Sequence, residues 1–126
     1  MRFNGICLVS KKVRRLRDFY AQVLQREPSG DGDWWVDFGD ISGASFSMYS
    51  EEGMEQMAPG CMKGSGNGRY TIEFEVEDVE SEYERLKELN VEFVKPPTTQ
   101  TWGRTSVWFR DPDGNIVNFY TNVEES

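Results

Sequence analysis

Histidine does not occur in this chain of 126 residues. Its absence removes the commonest metal ligand and the default general base near neutral pH, so Ser-His, Cys-His and His-rich metal chemistry cannot be built from this chain alone. Cysteine occurs twice, Cys7 in an apolar run and Cys61 in a Gly/Met-rich stretch, without CxxC spacing. That argues against a disulfide framework or a zinc knuckle. No apolar run reaches the roughly 18 residues of a membrane span, and no leader-like apolar segment follows Arg2. A soluble, cytoplasmic protein without membrane association is therefore expected. Positive charge is scarce as well, with 14 Lys and Arg against 22 Asp and Glu for a net charge of −8. Such a surface repels phosphate backbones, which argues against generic nucleic-acid binding. The excess is uneven: residues 1–63 carry 8 basic and 9 acidic groups, residues 64–126 carry 6 and 13.

The chain does have the length of one domain and the material for a core, including 8 Phe, 5 Tyr and 4 Trp. Residues 3–9 read as a short buried strand. Ser10 can cap a helix running to about Gln25, whose Val13, Leu16, Phe19, Tyr20, Val23 and Leu24 form one stripe at helical spacing. Pro28, Gly30 and Gly32 break the chain, and 34–38 and 44–49 read as two strands joined by a turn at 40–43. Residues 51–68 have no sustained periodicity and read as a connecting loop. Strand 70–76 follows, then a helix from the N-cap Asp78 to about Leu89, with Val79, Tyr83, Leu86 and Leu89 inward and Asn90 in the left-handed terminal position. Val91 to Val94 reads as a strand ended by Pro96-Pro97. Segments 104–110 and 116–122 form a hairpin around Asp-Pro-Asp-Gly-Asn.

Both halves thus follow one plan: strand, helix, then paired strands. The helices open at Val13 and Val79, 66 residues apart, while Val36, Phe38, Asp40, Gly43 and Phe46 match Val107, Phe109, Asp111, Gly114 and Val117 at a constant 71. An internal repeat with a loop-length difference explains both offsets. The expected architecture is α+β: two βαβββ modules (about 1–50 and 69–122, linker about 51–68) forming a curled mixed sheet around a cleft, with helices outside.

Four motifs of the second half, in order, are Ile-Glu-Phe-Glu-Val-Glu-Asp-Val-Glu (72–80), Val-Glu-Phe-Val-Lys-Pro-Pro (91–97), Trp-Gly-Arg (102–104) and Phe-Arg-Asp-Pro-Asp-Gly-Asn (109–115). With Asp-Phe-Tyr-Ala-Gln-Val-Leu (18–24) in the first half, their order and spacing resemble the vicinal oxygen chelate superfamily. That superfamily includes glyoxalase I, extradiol dioxygenases, fosfomycin-resistance enzymes and bleomycin-resistance proteins. The resemblance implies metal-ligand positions at about Gly5, Ser47, Thr71 and Asn118, where metalloenzymes of the family carry His and Glu. Here these positions offer no imidazole, thiolate or carboxylate, and neutral hydroxyls do not repay the dehydration of a divalent cation. The resemblance is therefore to metal-free, bleomycin-resistance-like members, with no catalytic residue, no metal ligand and no cofactor expected. It also implies a homodimer. The rival is a lyase, isomerase or dioxygenase holding metal through Glu73, Glu75 or Asp37.

Strand alternation assigns the residues of the expected cleft. Thr71, Glu73, Glu75, Asn118, Tyr120, Trp108 and Asp37 face inward with Ser47, Cys7 lines the floor, and Trp35 and Trp102 stand at strand ends as rims. These eleven are the candidate ligand-binding residues. Aromatic walls with carboxylates suit a bulky, planar or cationic small molecule. The competing interpretation is a solvated sheet face at Glu73 and Glu75, with the tryptophans serving the core or a dimer. Cys7 reads as a small buried hydrophobe rather than a nucleophile, since no histidine is present to activate it.

Overall fold

The computed structural model describes residues 1–66 and 69–123. The end of the expected linker, Asn67 and Gly68, lies outside the described residues, as do Glu124, Glu125 and Ser126. The chain divides into two compact units, Met1–Ser65 and Gly66–Ser126. Among the described residues no helix is long and apolar enough to cross a membrane.

The first unit runs β1 (Gly5–Ser10), α1 (Val13–Leu24), β2 (Ser29–Gly30), β3 (Trp35–Ile41), β4 (Ala44–Ser50) and α2 (Glu51–Met57). Its sheet has the order β1-β4-β3-β2, with β1 and β4 parallel and the other pairs antiparallel. The second unit runs β5 (Thr71–Glu75), α3 (Val79–Glu88), β6 (Glu92–Thr99), β7 (Arg104–Arg110) and β8 (Ile116–Asn122). Its order, β5-β8-β7-β6, has the same single parallel pair at β5 and β8. The expected α+β plan of two βαβββ modules is thus the observed one, built as two four-stranded mixed sheets.

Amphipathicity explains each unit. The stripe Val13, Leu16, Tyr20 and Val23 of α1 is buried, as are Leu8, Val36, Phe38, Phe46 and Met48 of the sheet. Tyr20 meets the Phe46 ring edge-to-face at 5.1 Å. In the second unit Val79 and Leu86 of α3 are buried with Ile72, Val107, Phe109, Val117 and Phe119. Tyr83 packs edge-to-face on Phe93 at 5.1 Å. Asp78 caps α3 by accepting from the backbone N–H of Glu80 and Ser81, and Asn90 takes the left-handed conformation at φ 58°.

Four local readings need correction. Residues 51–57 are a helix, α2, not loop. Ser50 Oγ accepts from the Gly53 N–H at 3.0 Å, and Glu51 and Glu52 occupy the first turn, where carboxylates favour the helix dipole. Ser10 does not cap α1: the N-cap is Lys12, whose own N–H donates to the Ser10 hydroxyl at 3.0 Å. The break at 28–32 contains the two-residue strand β2. Finally, β6 does not stop before Pro96-Pro97 but continues to Thr99. It is the last strand of its sheet, and its register slips between Phe93 and Lys95 and between Lys95 and Thr98, which accommodates residues that cannot donate.

The β7–β8 turn shows why Asp-Pro-Asp-Gly-Asn forms it. The buried Asp111 carboxylate accepts from the N–H of Asp113 and Asn115, both at 2.9 Å, and from Asn115 Nδ2 at 2.9 Å. Gly114 supplies the positive φ of 90° that the turn requires. Asp40 plays the related part in the first unit, accepting from the Gly43 N–H at 2.6 Å.

Candidate functional site

Within the second unit α3 covers one face of the sheet, and alternation sends every second side chain to the other. Strand register aligns these into rows. Glu73, Asn118, Trp108 and Lys95 stand opposite one another across β5, β8, β7 and β6, and Glu75, Tyr120, Ser106 and Thr98 form the next row. Six candidate residues, Thr71, Glu73, Glu75, Trp108, Asn118 and Tyr120, thus come to one face.

The side chains on that face engage each other. Glu73 Oε2 accepts from Thr71 Oγ1 at 3.2 Å and from Asn118 Nδ2 at 3.3 Å, while Arg104 Nη1 stands 3.8 Å from Glu73 Oε1. The Arg104 guanidinium lies 3.9 Å from the centre of the Tyr120 ring. Lys95 Nζ donates to Ser106 O at 2.9 Å and Ser106 Oγ at 2.8 Å, and sits 5.1 Å from the Trp108 ring centre. Burial pushes the Lys95 ammonium below its usual range. Both aromatic rings therefore already hold a cation supplied by the chain. Among the described residues two buried side-chain polar atoms have no partner, Trp108 Nε1 and Asn118 Oδ1.

The first unit repeats the arrangement with different chemistry. Cys7, Ser47, Asp37 and Ser29 form a row, beside Val9, Tyr49 and Trp35. Cys7, Ser47 and Asp37 occupy the places of Glu73, Asn118 and Trp108, at the same 66- and 71-residue offsets. Asp37 Oδ1 accepts from the Gly39 N–H at 2.7 Å. Tyr49 Oη accepts from Trp34 Nε1 at 3.0 Å, and Gly53 of α2 rests on both rings with no room for a Cβ. The expectation that Cys7 is buried is corrected: Cys7 is exposed. Trp35 is half-exposed at the start of β3, whereas Trp102 is 74% exposed in the β6–β7 turn and joins neither row.

The implied metal positions carry no imidazole, thiolate or carboxylate. A Cβ at Gly5 would collide with the Ser45 backbone, so this place can carry no ligating side chain without a backbone shift. Thr71 and Asn118 give their hydrogen bonds to Glu73, a single carboxylate that also faces the Arg104 guanidinium at 3.8 Å. Among the described residues no three of His, Cys, Asp and Glu gather as a metal would need.

Sequence reasoning missed Lys95, Arg104 and Ser106. Lys95 was hidden because the prolines placed its strand end at Val94. The alternation that put Trp108 on this face would also have put Ser106 and Arg104 there, two and four residues away on the same strand.

A model of the Glyoxalase/Bleomycin resistance protein/Dioxygenase superfamily matches residues 2–119. The chain belongs to this superfamily. A glyoxalase/bleomycin resistance protein/dioxygenase from Nocardioides superposes with a TM-score of 0.80 at 20% identity, covering 100% of this chain and 86% of that one. A family enzyme from Burkholderia phytofirmans PsJN gives 0.81 at 12% identity, over 95% and 98% of the two chains. Those likenesses concern the glyoxalase fold. The uncharacterized protein YetH of Bacillus subtilis (strain 168) is 46% identical over 55 residues, which is 44% of this chain and 45% of YetH. The match thus spans about half the length of that curated relative.

Proposed function

We propose that this glyoxalase-superfamily protein binds a small molecule on the sheet face of its second unit opposite α3, without a metal ion, and acts by stoichiometric capture. The observation that carries the proposal is the row Glu73, Asn118, Trp108 and Lys95, which sets a carboxylate, an amide, an indole and an ammonium across four strands. A face needed only for solvation would not retain buried polar atoms lacking partners. The donor set supports metal independence, because the family's ligand places hold glycine and neutral groups. The guest is a bulky aromatic compound, such as an antibiotic. A purely cationic guest is less well served, since Lys95 and Arg104 already occupy the ring faces of Trp108 and Tyr120. Capture takes place in the cytoplasm, in a homodimer.

A thermal-shift library screened against chelator-treated protein tests this reading. A compound at a hundredfold excess over its Kd stabilises by about 2.7 kcal/mol, well within detection. We expect at least one aromatic compound to bind equally well before and after chelation. Stoichiometric, tightly held Zn, Ni, Mn or Fe in freshly purified protein would overturn the reading in favour of a metalloenzyme.

A further inference from the structure

Asn118 is 4% exposed, and its amide is oriented by its neighbour. Nδ2 donates to the Glu73 carboxylate at 3.3 Å, and a carboxylate cannot receive a hydrogen bond from the amide oxygen, so Oδ1 is the end left over. Directly opposite, Trp108 offers an indole N–H, which is a donor only. One orphan acceptor and one orphan donor therefore lie on a single cross-strand pair of β7 and β8. The neighbouring donors are engaged elsewhere: Lys95 with Ser106, Thr71 with Glu73, and Arg104 with Glu73, Asn122 and the Tyr120 ring.

We infer that the molecule bound on this face presents a neutral carboxamide or lactam to the Trp108–Asn118 pair, accepting from Trp108 Nε1–H and donating to Asn118 Oδ1. The inference rests on the binding role proposed above and names the chemical class that role would take. A carboxylate offers acceptors alone and would set negative charge against Asn118 Oδ1. An ammonium offers donors alone and would meet the indole N–H. A hydroxyl would have to reach both atoms with one oxygen, whereas an amide carries its acceptor and its donor on separate atoms. The orphan atoms are shut off from solvent, and Lys95 Nζ sits 5.1 Å from the Trp108 ring centre, so a guest that reaches this ring displaces the Lys95 side chain. Lys and Arg stems make that movement feasible because they are flexible and only their heads are held.

The test uses the full chain labelled with ¹⁵N, in which the Trp108 indole N–H resonance is assigned by its disappearance in Trp108→Phe. Benzamide, benzoate, benzylammonium and benzyl alcohol share one ring and differ only in the group presented. Benzamide is expected to shift the Trp108 signal saturably, and the other three to bind at least about tenfold more weakly, the loss expected for one missing hydrogen bond. Asn118→Leu should weaken benzamide by about the same factor. Should that variant not fold, the titration of the unaltered chain decides alone. A stronger response to benzoate, benzylammonium or benzyl alcohol overturns the amide class and leaves the binding face standing. If all four are silent while a library hit moves the Trp108 signal, the amide inference falls by itself. Silence from every compound overturns both.

Discussion

Gly53 touches the Tyr49 and Trp34 rings where any larger residue would place a carbon, so its importance lies in what it leaves out. Gly53→Ala should destabilise the protein by about 1–3 kcal/mol through overpacking, read as a lower denaturation midpoint with an unchanged slope. Lys95 makes a different kind of prediction. Its folded-state pKa lies below the ordinary 10.5, so between that lowered value and 10.5 the unfolded chain binds more protons than the folded one. Stability contributed at this site should rise with pH across that window, and Lys95→Met should flatten the rise. A variant with the same alkaline slope as the parent would contradict the burial argument. Single-residue chemistry was partly legible in the sequence. The phase of alternation correctly sent Glu73, Asn118 and Trp108 to one face, because a period of two is insensitive to where a strand ends. That Glu73 is tied to Thr71, Asn118 and Arg104 was not legible, since pairing across strands depends on register, which alternation alone does not set.

Helix α2 and strand β6 are two of the elements that sequence periodicity misjudged, and for opposite reasons. Helix α2 is seven residues long with a glycine inside it, too short to display an apolar stripe, and a cap and its packing hold it in place of propensity. Ser50→Ala should therefore cost about 0.5–2 kcal/mol, more than a surface serine would, with the loss of helicity visible in the amide exchange of residues 53–57. Strand β6 passes through two prolines that usually end a strand, but an outermost strand with slipped register tolerates them. The long helices were readable because each carries a full inner stripe. Leu16 and Leu86 are completely buried at the centres of those stripes, and either one replaced by alanine should cost about 2–5 kcal/mol in equilibrium unfolding.

At the scale of the molecule, the repeat was the most legible feature, because matched turns and core residues keep constant offsets even where side-chain chemistry has diverged. Side-chain chemistry differs throughout one candidate row, where a thiol, a hydroxyl and a carboxylate in one unit correspond to a carboxylate, an amide and an indole in the other, while the next row keeps a tyrosine at Tyr49 and Tyr120. The excess of eight negative charges over the whole chain makes self-repulsion a general term. Raising ionic strength from about 0.05 to 0.5 M should screen it and raise Tm by a few degrees, and a fall would mean that the surface ion pairs outweigh the repulsion. The prolines of β6 have one more consequence. Pro96 and Pro97 lie together where the register of this outermost strand slips, and neither has a backbone N–H to donate. An incoming chain from another molecule finds an interrupted template there, and in the first unit the corresponding strand, β2, is only two residues long. Each sheet is thereby blunted against fibrous aggregation at its own outer edge, β2 in one and β6 in the other.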